Sequence, residues 1–183
     1  MLMALTDEDD TRIVLTRRAL TLRFHPGQVS FPGGSLDPGE TVVEAALREA
    51  HEEVGLEPEN VTVLGELPDL SLAASTNSVT PIIGVIAPHE EPHVVDEREV
   101  DSVFVPKLTQ LAAPEIRCMA TIPGHPYKGP AFMLGDAFVW GFTAHLLDGL
   151  LKVGGWEKKW NEGNRIEVPR DYRRERASQY KSF

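Results

Sequence analysis

A single cysteine, Cys118, stands among 183 residues. It excludes an intramolecular disulfide and argues against a multi-thiolate zinc site, as expected for a chain that works in a reducing compartment. No apolar run approaches the roughly 18 residues that a membrane-spanning helix needs. Near the N-terminus, Asp7, Glu8, Asp9 and Asp10 arrive before any hydrophobic stretch of signal-peptide length has formed. Basic charge is scarce, with 18 Lys and Arg against 28 Asp and Glu and a net charge of −10. A surface built to grip nucleic acid or anionic lipid is therefore not expected, and a polyanionic substrate would need metal ions or a local basic patch. These absences fit a soluble protein of a reducing cytoplasm. What is present is ordinary for a folded domain: 42% hydrophobic and 25% charged residues, with 15 Gly and 14 Pro.

No repeat or low-complexity tract breaks the chain, so residues 1–155 read as one domain. From Trp156 to Phe183 the texture turns polar, Lys and Arg outnumber Asp and Glu, and few apolar residues remain to pack. This part reads as an extension dispensable for folding, whose Arg165, Arg170, Arg173, Arg174 and Arg176 suit docking on an acidic surface, including that of a second copy in a homodimer. Strands are expected over Arg12–Thr16, Gln28–Phe31, Val61–Leu67, Val79–Ile86, Val100–Val105 and Glu115–Ile122. Helical periodicity runs over Val42–Val54 and over roughly Phe138–Lys152, the second stopped at Gly154-Gly155. Strands before, between and after helices imply an α/β or α+β sandwich with a mixed sheet.

The first helix carries the strongest chemical signal. Thr41 followed by Glu44 is a capping box, and Gly55 suits a left-handed stop. Val43, Leu47, Ala50 and Val54 form one apolar stripe for seating the helix on a sheet. Glu49 and Glu53 lie one turn apart on a common face with Glu52 beside them, flanked by the small Ala45 and Ala46. Like charges at this spacing destabilise a helix by ~0.2–0.5 kcal/mol per pair, and glutamates late in a helix also oppose its dipole. A divalent cation would remove that conflict, and a partly open carboxylate face suits Mg²⁺ bridging to substrate phosphates.

The segment from Gly34 to Leu56 also resembles, at every defined position, the Nudix box G-x5-E-x7-R-E-U-x-E-E-x-G-U, with Ala50 as a small member of the apolar class. That resemblance implies an α/β/α sandwich with a catalytic loop-helix-loop, cleaving a diphosphate linked to another moiety with Mg²⁺ or Mn²⁺. By it, Glu49 and Glu53 are the principal metal ligands and Glu52 is a further ligand or a base acting on water. Arg48 and Glu40 orient those carboxylates.

Upstream, Val14 to Gly34 resembles the coenzyme A diphosphatase signature L-L-T-x-R-[SA]-x3-R-x3-G-x3-F-P-G-G, departing only where Val14 replaces a leucine. Arg18 and Arg23 set cationic forks beside a glycine-rich turn, a pattern that matches phosphate oxygens. Arg18, Arg23, Gly27, Phe31, Gly33 and Gly34 are accordingly the expected substrate-binding residues. The implied reaction converts coenzyme A or a derivative to 3′,5′-ADP and a 4′-phosphopantetheine product. Two alternatives stay open: a Nudix hydrolase of ADP-ribose, a sugar nucleotide or a dinucleotide, and a non-catalytic Nudix-fold nucleotide sensor. The upstream signature argues against the first and the intact box against the second.

Looser resemblance extends to Val79–Gly84 and to Trp140–Ala144, where Trp140 and Phe142 read as core residues. Glu99 reads as an exposed loop residue, with a contribution to the metal site as the alternative. His25, His51 and His125 show no ligand spacing. The subfamily carries a longer stretch ahead of its signature, so the first strand is expected to be short or absent, as a truncated start or a different initiation codon would leave it.

Overall fold

The computed structural model describes residues 1–71 and 78–173. Arg174 and Arg176 of the basic extension lie outside these. The contacts group the chain into two compact units, one of residues 1–19 and 30–107, the other of residues 20–29 and 108–183.

In the first unit the chain forms β1 (Leu2–Thr6), β2 (Leu15–Arg18), β3 (Val29–Ser30), α1 (Val42–Val54), β4 (Val61–Glu66), β5 (Leu70–Ser71), β6 (Ser78–Val79), β7 (Ile82–Ile86) and β8 (Val100–Phe104). One sheet has the order β1-β7-β4, another β3-β2-β8, and β5 pairs with β6. The first is mixed: β1 runs parallel to β7 with Leu2 opposite Ile82, and β4 runs antiparallel to β7 with Val61 opposite Ile86. A first strand is thus present, correcting the expectation that it would be short or absent. Its apolar Leu2, Met3 and Ala4 are buried, and Leu2 N–H donates to Pro32 O at 2.9 Å, which ties the strand to the turn ahead of α1.

Helix α1 begins and ends where its sequence dictates. Thr41 Oγ1 accepts from Glu44 N–H at 3.2 Å while Glu44 Oε2 accepts from Thr41 N–H at 2.8 Å. Gly55 closes the helix at φ 71°, and its N–H reaches His51 O at 3.0 Å. The buried face differs from the expected stripe. Ala45, Ala46, Ala50, Glu53 and Val54 are buried, whereas Val43 and Leu47 are half-buried at its margin. Ala46, Ala50 and Val54 pack with Leu2, Val14 and Ile82. The small alanines let the helix approach closely enough to take a carboxylate in with it.

In the second unit, α2 (Leu108–Leu111), β9 (Arg117–Thr121), β10 (Lys128–Leu134), β11 (Ala137–Val139), α3 (Gly141–Val153) and β12 (Arg165–Glu167) build a sheet of order β11-β10-β9-β12 with helices. Trp140 packs at the margin of this unit's core, its ring edge-on to Tyr127 at 5.6 Å. Buried Arg117 pairs with Asp148, and its guanidinium lies 4.6 Å from the ring centres of both Phe132 and Trp160. The polar extension is therefore built into the unit: Trp160 covers Arg117, β12 runs parallel to β9, and Val168 is fully buried among Cys118, Ala120, Ala131 and Phe138. Among the described residues no helix is long and apolar enough to cross a membrane.

Candidate active site

The site is assembled in the first unit, where the Phe31-Pro32-Gly33-Gly34 turn meets the last two turns of α1. Gly33 N–H donates to Glu53 Oε2 at 3.1 Å. Gly33 holds φ 146°, and a Cβ there would lie 2.5 Å from Met1 Cα. At Gly34 a Cβ would lie 2.3 Å from Glu49 Oε1, so the absence of a side chain is what lets the turn lie against that carboxylate. Gly33 is thus required by its positive φ and the close approach of Met1, and Gly34 by contact with Glu49.

Burial leaves these carboxylates poorly solvated. Glu53 is 5% exposed, and burial pushes its pKa up from 4.5 to about 7, against the opposing hydrogen bond from Gly33. Glu49 is also raised by burial, countered by its contact with Arg48 at 3.1 Å. Arg18, at the end of β2, stabilises the ionised form of Glu53. Glu99 acts in the opposite sense on both Glu49 and Glu53, although its own side chain is exposed. The sequence favours a loop role for Glu99, whereas the fold gives it an electrostatic one too. Its carbonyl is fixed by Ala19 N–H at 2.8 Å.

Arg48 organises the outer side of the helix. Nε and Nη2 donate to the two oxygens of Glu40 at 2.8 and 3.0 Å, a bidentate pair. Nη2 also donates to Ser35 O and Nη1 to Glu52 Oε2, each at 3.0 Å. These bonds hold the Glu40 carboxyl below the usual range and raise the guanidinium above its own. The link to the Ser35 carbonyl is a contact that no side-chain pattern could reveal.

The expected convergence of three carboxylates is only partly realised. Glu49 and Glu53 face the turn while Glu52 is drawn to Arg48. Among the described residues no group of three His, Cys, Asp or Glu side chains is arranged to hold a metal. The donor set still fits a hard divalent cation: two adjacent carboxylates, both raised by burial, stand where a positive charge would offset the desolvation. Of the expected substrate-binding residues, Arg18, Phe31, Gly33 and Gly34 belong to this unit, whereas Arg23 and Gly27 belong to the other. Phe31 is 3% exposed, so its ring anchors the turn in the interior and offers no open face to a ligand. His51 is exposed at 3.5 Å from Glu57, and His125 accepts from Tyr127 N–H at 3.0 Å; neither joins the site.

The NUDIX domain model matches residues 1–120. The chain is 36% identical over 162 residues to the uncharacterized Nudix hydrolase NudL of Enterobacter sp. (strain 638), covering 84% of this chain and 81% of that protein. Against the Pectobacterium atrosepticum protein of the same name, identity is 40% over 138 residues, covering 74% and 71%. A crystal structure of a NUDIX hydrolase from Nitrosomonas europaea superposes with a TM-score of 0.57 at 14% identity, covering 91% of this chain and 77% of that one, a likeness of fold alone. With the family match over most of the chain and the box carboxylates gathered against their glycine turn, the chain belongs to the Nudix family and is a hydrolase of a diphosphate-bearing small molecule.

Proposed function

We propose that the enzyme hydrolyses the diphosphate of coenzyme A or a derivative, releasing 3′,5′-ADP and 4′-phosphopantetheine or its acylated form. The observation that carries this reading is the Gly33 to Glu53 hydrogen bond at 3.1 Å. It joins Gly33, near the end of the upstream signature, to the box helix, which supports reading the two motifs together. Glu49 and Glu53 would hold Mg²⁺ or Mn²⁺, which when bound supplies charge neutralisation of the diphosphate and a lowered pKa for water. Arg18 offers its guanidinium to phosphate oxygens beside Glu53, and exposed Arg23 offers a second fork. Glu52 is the least buried of the three glutamates and serves as proton acceptor from the attacking water. Arg48, fixed by Glu40 and the Ser35 carbonyl, orients Glu52 and Glu49.

The net charge of −10 and the lack of any apolar helix of membrane length among the described residues support a small-molecule substrate and a cytoplasmic setting. The test is kinetic: coenzyme A, ADP-ribose, a sugar nucleotide and a dinucleotide assayed with Mg²⁺ and with Mn²⁺. We expect kcat/KM for coenzyme A to exceed the others by roughly tenfold or more. A preference for any of the other three would assign the site to that substrate.

A further inference from the structure

The loop carrying Arg23 and Gly27 belongs to the second unit together with the C-terminal segment, and the two are joined. The loop's outer part is exposed: Leu20 is 73% and Phe24 50% exposed, and the Arg23 guanidinium lies over the Phe24 ring at 5.2 Å. Nothing in that part resembles a core of its own. The loop's base is held instead. Gln28 N–H closes a turn on His25 O at 3.2 Å, and Val29 O accepts from buried Thr143 Oγ1 of α3 at 3.0 Å. Tyr172 adds further support. Gln28 Nε2 donates to Tyr172 O at 3.1 Å, and a Cβ at Gly27 would lie 3.5 Å from Tyr172 Cε1. Tyr172 is itself seated, with its ring packed at the margin of the core that contains Val168 and its N–H on Pro169 O at 3.1 Å.

We propose that Tyr172 is a positioning residue for substrate binding: the segment from Val168 to Arg173 buttresses the base of the Leu20–Gln28 loop and so holds Arg23 ready for a substrate phosphate. This rests on the reading of that loop as part of the substrate site. The physical reason is preorganisation. A loop with an exposed tip and few contacts of its own samples many arrangements, and apparent affinity falls by the fraction of time the competent one is populated. A support at its base raises that fraction without touching substrate. Such a residue acts on KM and leaves the chemical step alone.

The experiment compares Tyr172→Ala, Tyr172→Phe, Gln28→Leu and Arg23→Ala in the full chain. It measures amide hydrogen exchange over residues 20–28 and steady-state kinetics on coenzyme A at saturating Mg²⁺. We expect Tyr172→Ala to exchange faster in the loop and to raise KM by roughly threefold to tenfold with kcat unchanged. Tyr172→Phe, which keeps both the ring and the backbone acceptor, should match the wild type. Gln28→Leu should shift exchange and KM in the same direction as Tyr172→Ala, and it supplies the test should Tyr172→Ala fail to fold. Unchanged loop exchange, or faster exchange with an unchanged KM while Arg23→Ala raises KM, overturns the proposal. An unmoved KM in Arg23→Ala as well overturns the underlying reading of the loop, and the buttress with it.

Discussion

Glu53 combines a functional position with a cost to the fold. Its carboxyl keeps a proton in the folded state up to about pH 7, whereas an unfolded chain releases it near 4.5. The folded state therefore binds more protons than the unfolded one between these values, and stability falls as pH rises from about 4.5 to about 7. The shift corresponds to on the order of 3 kcal/mol, fully expressed above pH 7 in the absence of a cation. Glu53→Gln should accordingly be more stable than the wild type in EDTA at pH 8 and should lose less stability between pH 5 and 8. Thermal unfolding across that range checks this, and parallel pH profiles would show that Glu53 is not the source. Gly34 gives a second prediction at the same scale. Gly34→Ala drives a methyl group into the Glu49 carboxylate. Displacement of that carboxylate by about an ångström should lower kcat by on the order of a hundredfold, measured beside circular dichroism to establish that the fold persists. Such contacts were partly legible: the box and the signature identify Glu49, Glu53, Gly33 and Gly34. That the glycines meet those particular glutamates follows only from the folded chain.

At the level of elements, legibility followed the strength of local signals. Both ends of α1 stand where the capping box and Gly55 place them, because a satisfied cap and a left-handed stop are chemistry of adjacent residues. Its buried face was less legible, since burial of Glu53 beside Ala46 and Ala50 depends on what lies opposite. β10 lies outside the expected strands, and Gly129 and Pro130 weaken any strand pattern in its first half. The strand tolerates them because β11 pairs only with Phe132–Leu134, leaving Pro130 with β9 alone as neighbour, so a missing N–H on the open side costs no ladder bond. β11 was merged with the helix that follows, since a continuous apolar run does not separate strand from buried helix by periodicity. The three-residue β12 carries almost no pattern, and its pairing with β9 was invisible. That pairing gives the extension a packed place beside β9. Ending the chain after Gly155 removes β12, Trp160 over Arg117 and fully buried Val168. The loss of Val168 burial alone is worth roughly 1.5–3 kcal/mol, so truncation should lower the melting temperature by several degrees. An unchanged melting temperature would return the segment to the status of a passive tail.

For the whole molecule, an acidic chain acting on an anionic substrate needs its positive charge concentrated at the site. Arg18 lies close enough to Glu53 to favour its ionised form, and the carboxylate pair Glu49 and Glu53 would suit a dication. We propose that this buried pair serves Mg²⁺-dependent cleavage of a diphosphate borne by coenzyme A. The most direct measurement is product analysis by mass spectrometry after incubating coenzyme A and Mg²⁺ with the wild type and with Glu53→Gln. Equal amounts of 3′,5′-ADP and 4′-phosphopantetheine are expected from the wild type, and at most about a hundredth of that rate from Glu53→Gln. Near-wild-type cleavage by Glu53→Gln, or intact coenzyme A after incubation with a wild-type enzyme active on another diphosphate, would contradict it.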